Sequence, residues 1–172
     1  MRWENTHTQT CSIARSTAII GDRWTLLIIR QVFLRIRRFS EIQTTLGISK
    51  HRLSDRLNRL VDSEIIYREV YDQARNRSEY KLTDSGLELY PVIVALASWG
   101  DKWLDDGDGA PVEYVHNSCG CIANPKLCCS NCSEEVTALD TIVTPGPGIT
   151  KKIDRGDLPA ADLELYEKIM SL

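Results

Sequence analysis

The stretch FSEIQTTLGISKHRLSDRLNRLVD, Phe39 to Asp62, constrains this chain more than any other part of it. In its second half Leu53, Leu57, Leu60 and Val61 recur at helical spacing, while His51, Arg52, Asp55 and Arg59 project roughly opposite. A shorter amphipathic run in the first half ends at Gly47, which enters the left-handed conformation without a Cβ penalty and so can close a helix. Ser49 stands just ahead of the second run, where its hydroxyl can accept from one of the unpaired N–H groups of a helix start. The stretch predicts two short helices joined by a tight turn, with one face for a core and a base-rich face left over. That layout is a helix-turn-helix.

Its flanks extend the pattern. Arg35, Arg37 and Arg38 form a basic cluster just before it, readable either as a solvated face or as a phosphate contact. After it come IIYREVY (Ile65 to Tyr71) and EYKL (Glu79 to Leu82), two β-prone segments separated by the turn-forming DQARNRS, so that Arg75 and Arg77 ride on a hairpin tip. A helix-turn-helix followed by a basic hairpin is the arrangement of a winged helix, whose second helix enters the major groove while the wing reaches a phosphate strand or minor groove. On that reading Arg52 and Arg59 are base-edge candidates, since a guanidinium can pair two N–H groups with guanine. Asp55 can accept from cytosine, and His51 is within reach. Arg37, Arg38, Ser49, Lys50, Arg56, Arg75 and Arg77 are assigned to phosphate or wing contacts, which position without reading sequence.

The net charge of -3 hides a split: residues 1–81 hold 15 Lys and Arg against 9 Asp and Glu, and residues 82–172 hold 6 against 15. A net +6 followed by -9 suits a polyanion-binding N-terminal part, because phosphate neutralisation needs local positive charge. With 172 residues, a domain of about 100 plus a smaller module is the favoured division, placed at 8–104 and 110–172. The longest apolar run, Val92 to Ala97, is far below the roughly 18 residues of a membrane span, and MRWENTHTQT lacks a signal-peptide core. A cytoplasmic protein with reduced thiols is expected.

Helices are also expected over Cys11 to Gly21 and over Arg23 to Leu34, the latter apolar almost all round and so buried. Cys11 near a helix start, with Arg15 one turn on, is placed where a thiolate is stabilised, although an isolated Cys also serves simply as a small apolar residue. Thr83 can cap a helix from about Asp84 to Leu104, with Leu87, Tyr90, Val94, Ala97 and Trp103 near helical spacing and Pro91 kinking or dividing it. Its apolar residues suit either a dimer contact or packing within one subunit. DDGDG (Asp105 to Gly109) reads as a linker.

The blocks Cys11 to Arg15, GDRWTLLII (Gly21 to Ile29), RRFSEI (Arg37 to Ile42), GISKHRLSDRLNRL (Gly47 to Leu60) and YKLTDSG (Tyr80 to Gly86) together resemble the HxlR family of bacterial winged-helix regulators, over about residues 8–104. The resemblance implies a homodimer on a palindromic operator in double-stranded DNA, repressing or activating, with Ser49 to Asp62 as reader and residues 72–78 as wing. It also implies that Cys11 stands where several members carry a redox- or electrophile-sensing Cys. Ser12 replaces the Pro that often follows that Cys, Arg35 and Ile36 replace the usual Gly-Pro, and a Pro common in the wing is missing.

Beyond the linker, HNSCGCIANPKLCCSNC is expected between strands at Glu113 to His116 and Ala138 to Val143. Cys119 and Cys121 form a CxC and Cys129 and Cys132 a CxxC; two close thiolate pairs can fill the four tetrahedral positions of zinc, with His116 and Cys128 as spare ligands. Ser133 stands where such knuckles prefer Gly. Reversible thiol switching and plain reduced thiols are the other readings, and the family's longer members, with a turn like Pro145 to Gly148, imply a degenerate zinc-ribbon-like module. A final helix, capped by Asp157, presents Leu158, Ala161, Leu165, Ile169 and Leu172 on one face. The predicted class is thus mainly α with a small β part: a winged helix-turn-helix plus a Cys-rich module and terminal helix. A thiol-disulfide enzyme built on Cys129 and Cys132 lacks the expected βαβ setting, and a winged helix used only for protein docking fits poorly with the basic first part. With His7, His51 and His116 scattered, no catalytic constellation emerges, and an enzyme is not expected.

Overall fold

The computed structural model describes residues 9–75, 77–123 and 125–170, without the side chains of Ala161, Leu165 and Met170. His7 and Leu172, and the side chains of Ala161 and Leu165 on the expected face of the last helix, lie outside the described residues. The chain divides into two compact units, residues 1–113 and 114–172.

In the first unit α1 (Ser12–Ile20) and α2 (Arg23–Phe33) lead into α3 (Phe39–Leu46) and α4 (Lys50–Asp62), then β1 (Ile66–Asp72), β2 (Arg77–Leu82), α5 (Asp84–Leu87) and α6 (Tyr90–Trp103). The helix ends have local causes. Asp22 caps α2 by accepting from the N–H groups of Trp24 and Thr25. At the other end Arg35 turns left-handed (φ 64°), so that its N–H reaches Val32 O at 3.1 Å and that of Ile36 reaches Gln31 O at 3.0 Å, which satisfies two orphan carbonyls. Gly47, at φ 61°, closes α3 as the sequence predicts. Ser49 precedes α4 with an extended backbone, but its hydroxyl makes no cap bond. The expected side-chain cap is absent, and the Ser49 carbonyl takes the Leu53 N–H at 2.9 Å.

The core is formed by Ile28, Ile29, Ile42, Leu53, Leu57, Leu60, Ile66 and Ile93, drawn from α2, α3, α4, β1 and α6. Burying each such side chain contributes about 1.5–3 kcal/mol, so the helix pair is fixed chiefly by its apolar faces. β1 and β2 pair antiparallel from Ile66↔Leu82 to Asp72↔Arg77 with an irregularity between Val70 and Asp72. The single helix expected from Asp84 to Leu104 is divided into α5 and α6, with Pro91 in the first turn of α6, where its missing N–H costs nothing.

In the second unit the expected strands reduce to isolated bridges, Val115↔Ile122 and Cys128↔Glu135. Residues 138–143 form no strand, because side-chain bonds such as Thr137 N to Asp140 Oδ1 (2.7 Å) and Thr141 Oγ1 to Thr137 O (2.8 Å) hold a turn there. Two helices follow, α7 (Pro147–Arg155) and α8 (Ala160–Met170). Of the turn expected over Pro145 to Gly148, Pro147 and Gly148 instead open α7, and Gly156 closes that helix at φ 69°. α8 begins after Pro159 rather than at Leu158, since a residue before proline is disfavoured in helical conformation.

Candidate nucleic-acid interface

The second helix of the pair, α4, is held at its middle. Arg56 Nε donates to Asp22 Oδ1 at 2.9 Å and Arg56 Nη2 to Asp22 Oδ2 at 3.2 Å, a two-pronged bond between the start of α2 and α4. The same carboxylate caps α2, so one side chain fixes a helix start and the orientation of its neighbour. The Arg56 guanidinium holds the Asp22 carboxyl below its ordinary pKa against the opposing effect of burial, and Asp22 raises that of Arg56 in turn. Arg56 also pairs with Asp55. Arg56, a phosphate-contact candidate by sequence, is engaged by Asp22, a partner 34 residues away that no local pattern reveals.

With Leu53, Leu57 and Leu60 buried, His51, Arg52, Asp55 and Arg59 are exposed on the remaining faces of α4, and Lys50 and Ser49 are exposed at its start. Arg52 and Arg59 are seven residues apart in sequence, about 10 Å along the axis at 1.5 Å per residue. Asp55 shares its carboxylate with Arg56, so its remaining lone pairs are what it has for a base.

The basic cluster before α3 is tied to the hairpin. Tyr80 N donates to Arg37 O at 2.9 Å, and Arg38 bridges to Glu79, adding a short third edge to the two-stranded sheet. Arg37 is half-buried with its Nε shielded from water, whereas Arg38 is exposed, bonds Glu41 Oε1 at 3.4 Å and lies 5.2 Å over the Tyr71 ring. Arg75 is exposed in the turn, where its N–H is held by Asp72 Oδ1 at 3.1 Å, and Arg77 is exposed at the first position of β2. The structure thus keeps Arg38, Lys50, Arg52, Arg59, Arg75 and Arg77 open to solvent, and engages Arg56 and half-buries Arg37.

Cys11 is exposed at the N-cap of α1, and its carbonyl accepts the Arg15 N–H at 3.1 Å. The Arg15 guanidinium bonds the Thr10 carbonyl at 3.2 Å and the Ser12 hydroxyl at 3.1 Å, so it braces the backbone around the thiol. In the second unit His116 Nδ1 lies 3.4 Å from Cys119 Sγ, and the Cys129 thiol is pulled below its ordinary pKa by the Cys132 and Asn131 N–H groups and by the Cys132 thiol. Among the described residues no three potential ligands gather closely enough to hold a metal.

A packed helix pair with an exposed basic second helix, followed by a basic hairpin, defines a winged helix-turn-helix of the DNA-binding transcriptional regulators. The profile of the HxlR-like helix-turn-helix family matches residues 19–108, and the chain belongs to this family. An HTH-type transcriptional regulator of Mycobacterium tuberculosis, Rv3095, is 41% identical over 142 residues, covering 83% of this chain and 90% of the relative. That alignment is longer than the first unit and so runs into the second. The solved structure of the transcription factor PA1607 superposes with a TM-score of 0.73 at 32% identity, covering 82% of this chain and 99% of that one. The redox regulator HypR in its oxidised form has a TM-score of 0.51 at 28% identity, covering 54% of this chain and 96% of that one. These relatives are regulators, not enzymes. No helix among the described residues is long and apolar enough to cross a membrane.

Proposed function

We propose that this protein is a cytoplasmic, sequence-specific regulator that binds a palindromic operator as a homodimer and responds to oxidants or electrophiles through Cys11. The observation that carries the DNA reading is the exposure of Arg52 and Arg59 on a helix clamped from below by Asp22 and Arg56. Arg52 and Arg59 read guanine edges, with His51 and Asp55 beside them; Ser49, Lys50, Arg38, Arg75 and Arg77 contact phosphates, and Arg37 supports the wing. In an anisotropy titration on the DNA upstream of its own gene, Arg75→Ala weakens binding evenly across sequences and lowers the salt slope by about 1. Arg52→Ala costs about 1–3 kcal/mol and relaxes specificity at one position. Unchanged binding by both variants would remove the assigned surface.

Dimerisation is supported by two faces. On α6 Val92, Leu96, Trp99 and Trp103 recur at helical spacing and are 41%, 50%, 56% and 65% exposed, while Ile93 and Val94 are buried. α1 buries none of its residues although Ile13 and Ile19 are on it. Two exposed Trp on one stripe are a large apolar surface of the kind that marks an interface. Trp99→Asp is expected to yield a monomer by light scattering and to abolish the tight operator complex.

For Cys11, the helix-start position, the solvent exposure and the redox description of HypR support sensing, with modification of the thiol changing the spacing of the two reading helices. Cys11→Ser should leave basal DNA affinity in place and remove its response to oxidant. A response that survives this change would locate the sensor elsewhere.

A further inference from the structure

Residues 114–123 and 127–136 build the same turn twice, each position recurring 13 residues later, from 114 to 127 and from 123 to 136. The outer bonds are Ala123 N to Tyr114 O (2.6 Å) and Val136 N to Leu127 O (2.7 Å). Inside them are the matched bridges Val115↔Ile122 and Cys128↔Glu135. Next come His116 N to Cys121 O and Cys129 N to Glu134 O, both 2.9 Å, and then Gly120 N to His116 O and Ser133 N to Cys129 O, both 2.8 Å. Each turn closes on a left-handed residue at the same place, Gly120 at φ 69° and Ser133 at φ 63°.

The repeat fixes which donors are equivalent. His116 matches Cys129 and Cys119 matches Cys132, while Cys121 falls on Glu134 and Cys128 on Val115. His116 Nδ1 and Cys119 Sγ are 3.4 Å apart. Two ligands of one tetrahedral zinc, at about 2.0 and 2.3 Å from the metal, are separated by roughly 3.5 Å.

Packing does not account for this order. No described residue from 110 to 148 is buried, and Val115, Ile122 and Leu127 are 58%, 61% and 72% exposed. A segment of this size without a core is ordinarily held by a metal or disulfides. Each turn contributes one matched pair of donors, His116 with Cys119 and Cys129 with Cys132, and no three potential ligands gather in one place among the described residues, so a shared ion would draw the turns together.

We propose that one zinc ion joins the two turns through His116, Cys119, Cys129 and Cys132, and that Cys121 and Cys128 stay outside the site. Three thiols lose their protons to solvent as the ion binds, and the metal supplies the fold energy that the apolar residues do not. The proposal is independent of the DNA-binding reading, which has its own titration.

The test is metal analysis of the full-length protein purified from zinc-supplemented medium, with cobalt replacement on the same sample. One zinc per chain is expected in the unaltered protein and in Cys121→Ser, Cys128→Ser and His116→Cys. At least a tenfold lower content is expected in His116→Ala and Cys119→Ser. Because those two variants can also lose metal by misfolding, the cobalt form of the unaltered protein gives a second readout: thiolate-to-metal absorption of three-sulfur strength, rising to four-sulfur strength in His116→Cys. Zinc-free protein with all thiols titrating overturns the proposal. So does loss of zinc in Cys121→Ser with retention in His116→Ala, or four-sulfur absorption in the unaltered protein.

Discussion

From Ile28 to Ile93 the first unit closes a connected set of Ile and Leu off from water, whereas from residue 114 to 148 the second buries none of its described residues. In the first, apolar faces at helical spacing meet across five elements, and the polar groups left outside become available for a ligand. In the second, order is carried by backbone hydrogen bonds in two copies of one turn. Backbone bonds contribute modestly on net and are open to water when exposed, so such a unit needs another source of stability. A regulator of this kind can therefore combine a rigid reading head with an appendage whose order depends on its surroundings.

The contrast is broken or sharpened by substitutions of graded effect. The largest should come from Leu57→Ala, which empties a fully buried position and should destabilise the first unit by about 2–5 kcal/mol in a denaturant titration. The corresponding change at Leu139, 98% exposed, should be within about 0.5 kcal/mol of zero. A large effect at Leu139 would mean that the second unit has a packing partner of its own.

Asp22→Asn comes next. It weakens the α2 cap and the bond to Arg56, and with partial exposure about 1–2 kcal/mol is expected. The folded-state pKa of Asp22 is lowered, so its contribution is complete above the unfolded value of about 3.9 and is lost as pH falls through the lower folded value. Acid titrations of the unaltered protein and Asp22→Asn should converge in that window. Because Arg56 is on α4, the substitution should also weaken operator binding without touching DNA.

The smallest change is a gain. Ser133 carries a Cβ at φ 63°, where its counterpart in the repeat is Gly120, so Ser133→Gly should relieve about 1 kcal/mol of strain, measurable as slower proteolysis of the second unit. No gain there would argue that the turn is held open to another conformation.

Much of the first unit is written locally. The helix pair, the left-handed close at Gly47, the hairpin and the exposed faces of α4 follow from periodicity and turn residues between Phe39 and Leu82. Farther on, the sequence places Leu87, Tyr90, Val94, Ala97 and Trp103 near helical spacing over Asp84 to Leu104, yet Val94 is buried and Val92, Leu96 and Trp99 join Trp103 in facing outward on α6. An almost wholly apolar helix offers no polar face to fix its rotation, so only packing against the core sets it. In the cysteine module the CxC spacing singles out Cys121, whereas the matched turns follow the pattern His116-x-x-Cys119-Gly120 beside Cys129-x-x-Cys132-Ser133.

By itself the sequence determined a basic helix-turn-helix with a wing and a separate Cys-rich segment, because helical spacing, turn residues and charge are properties of neighbours along the chain. Tertiary structure decided that Asp22 engages Arg56, that α6 turns its Trp side chains outward, and that the His116 ring meets the Cys119 thiol. Each of these depends on which distant groups meet when the apolar faces close and the backbone bonds form, and no local pattern specifies that meeting.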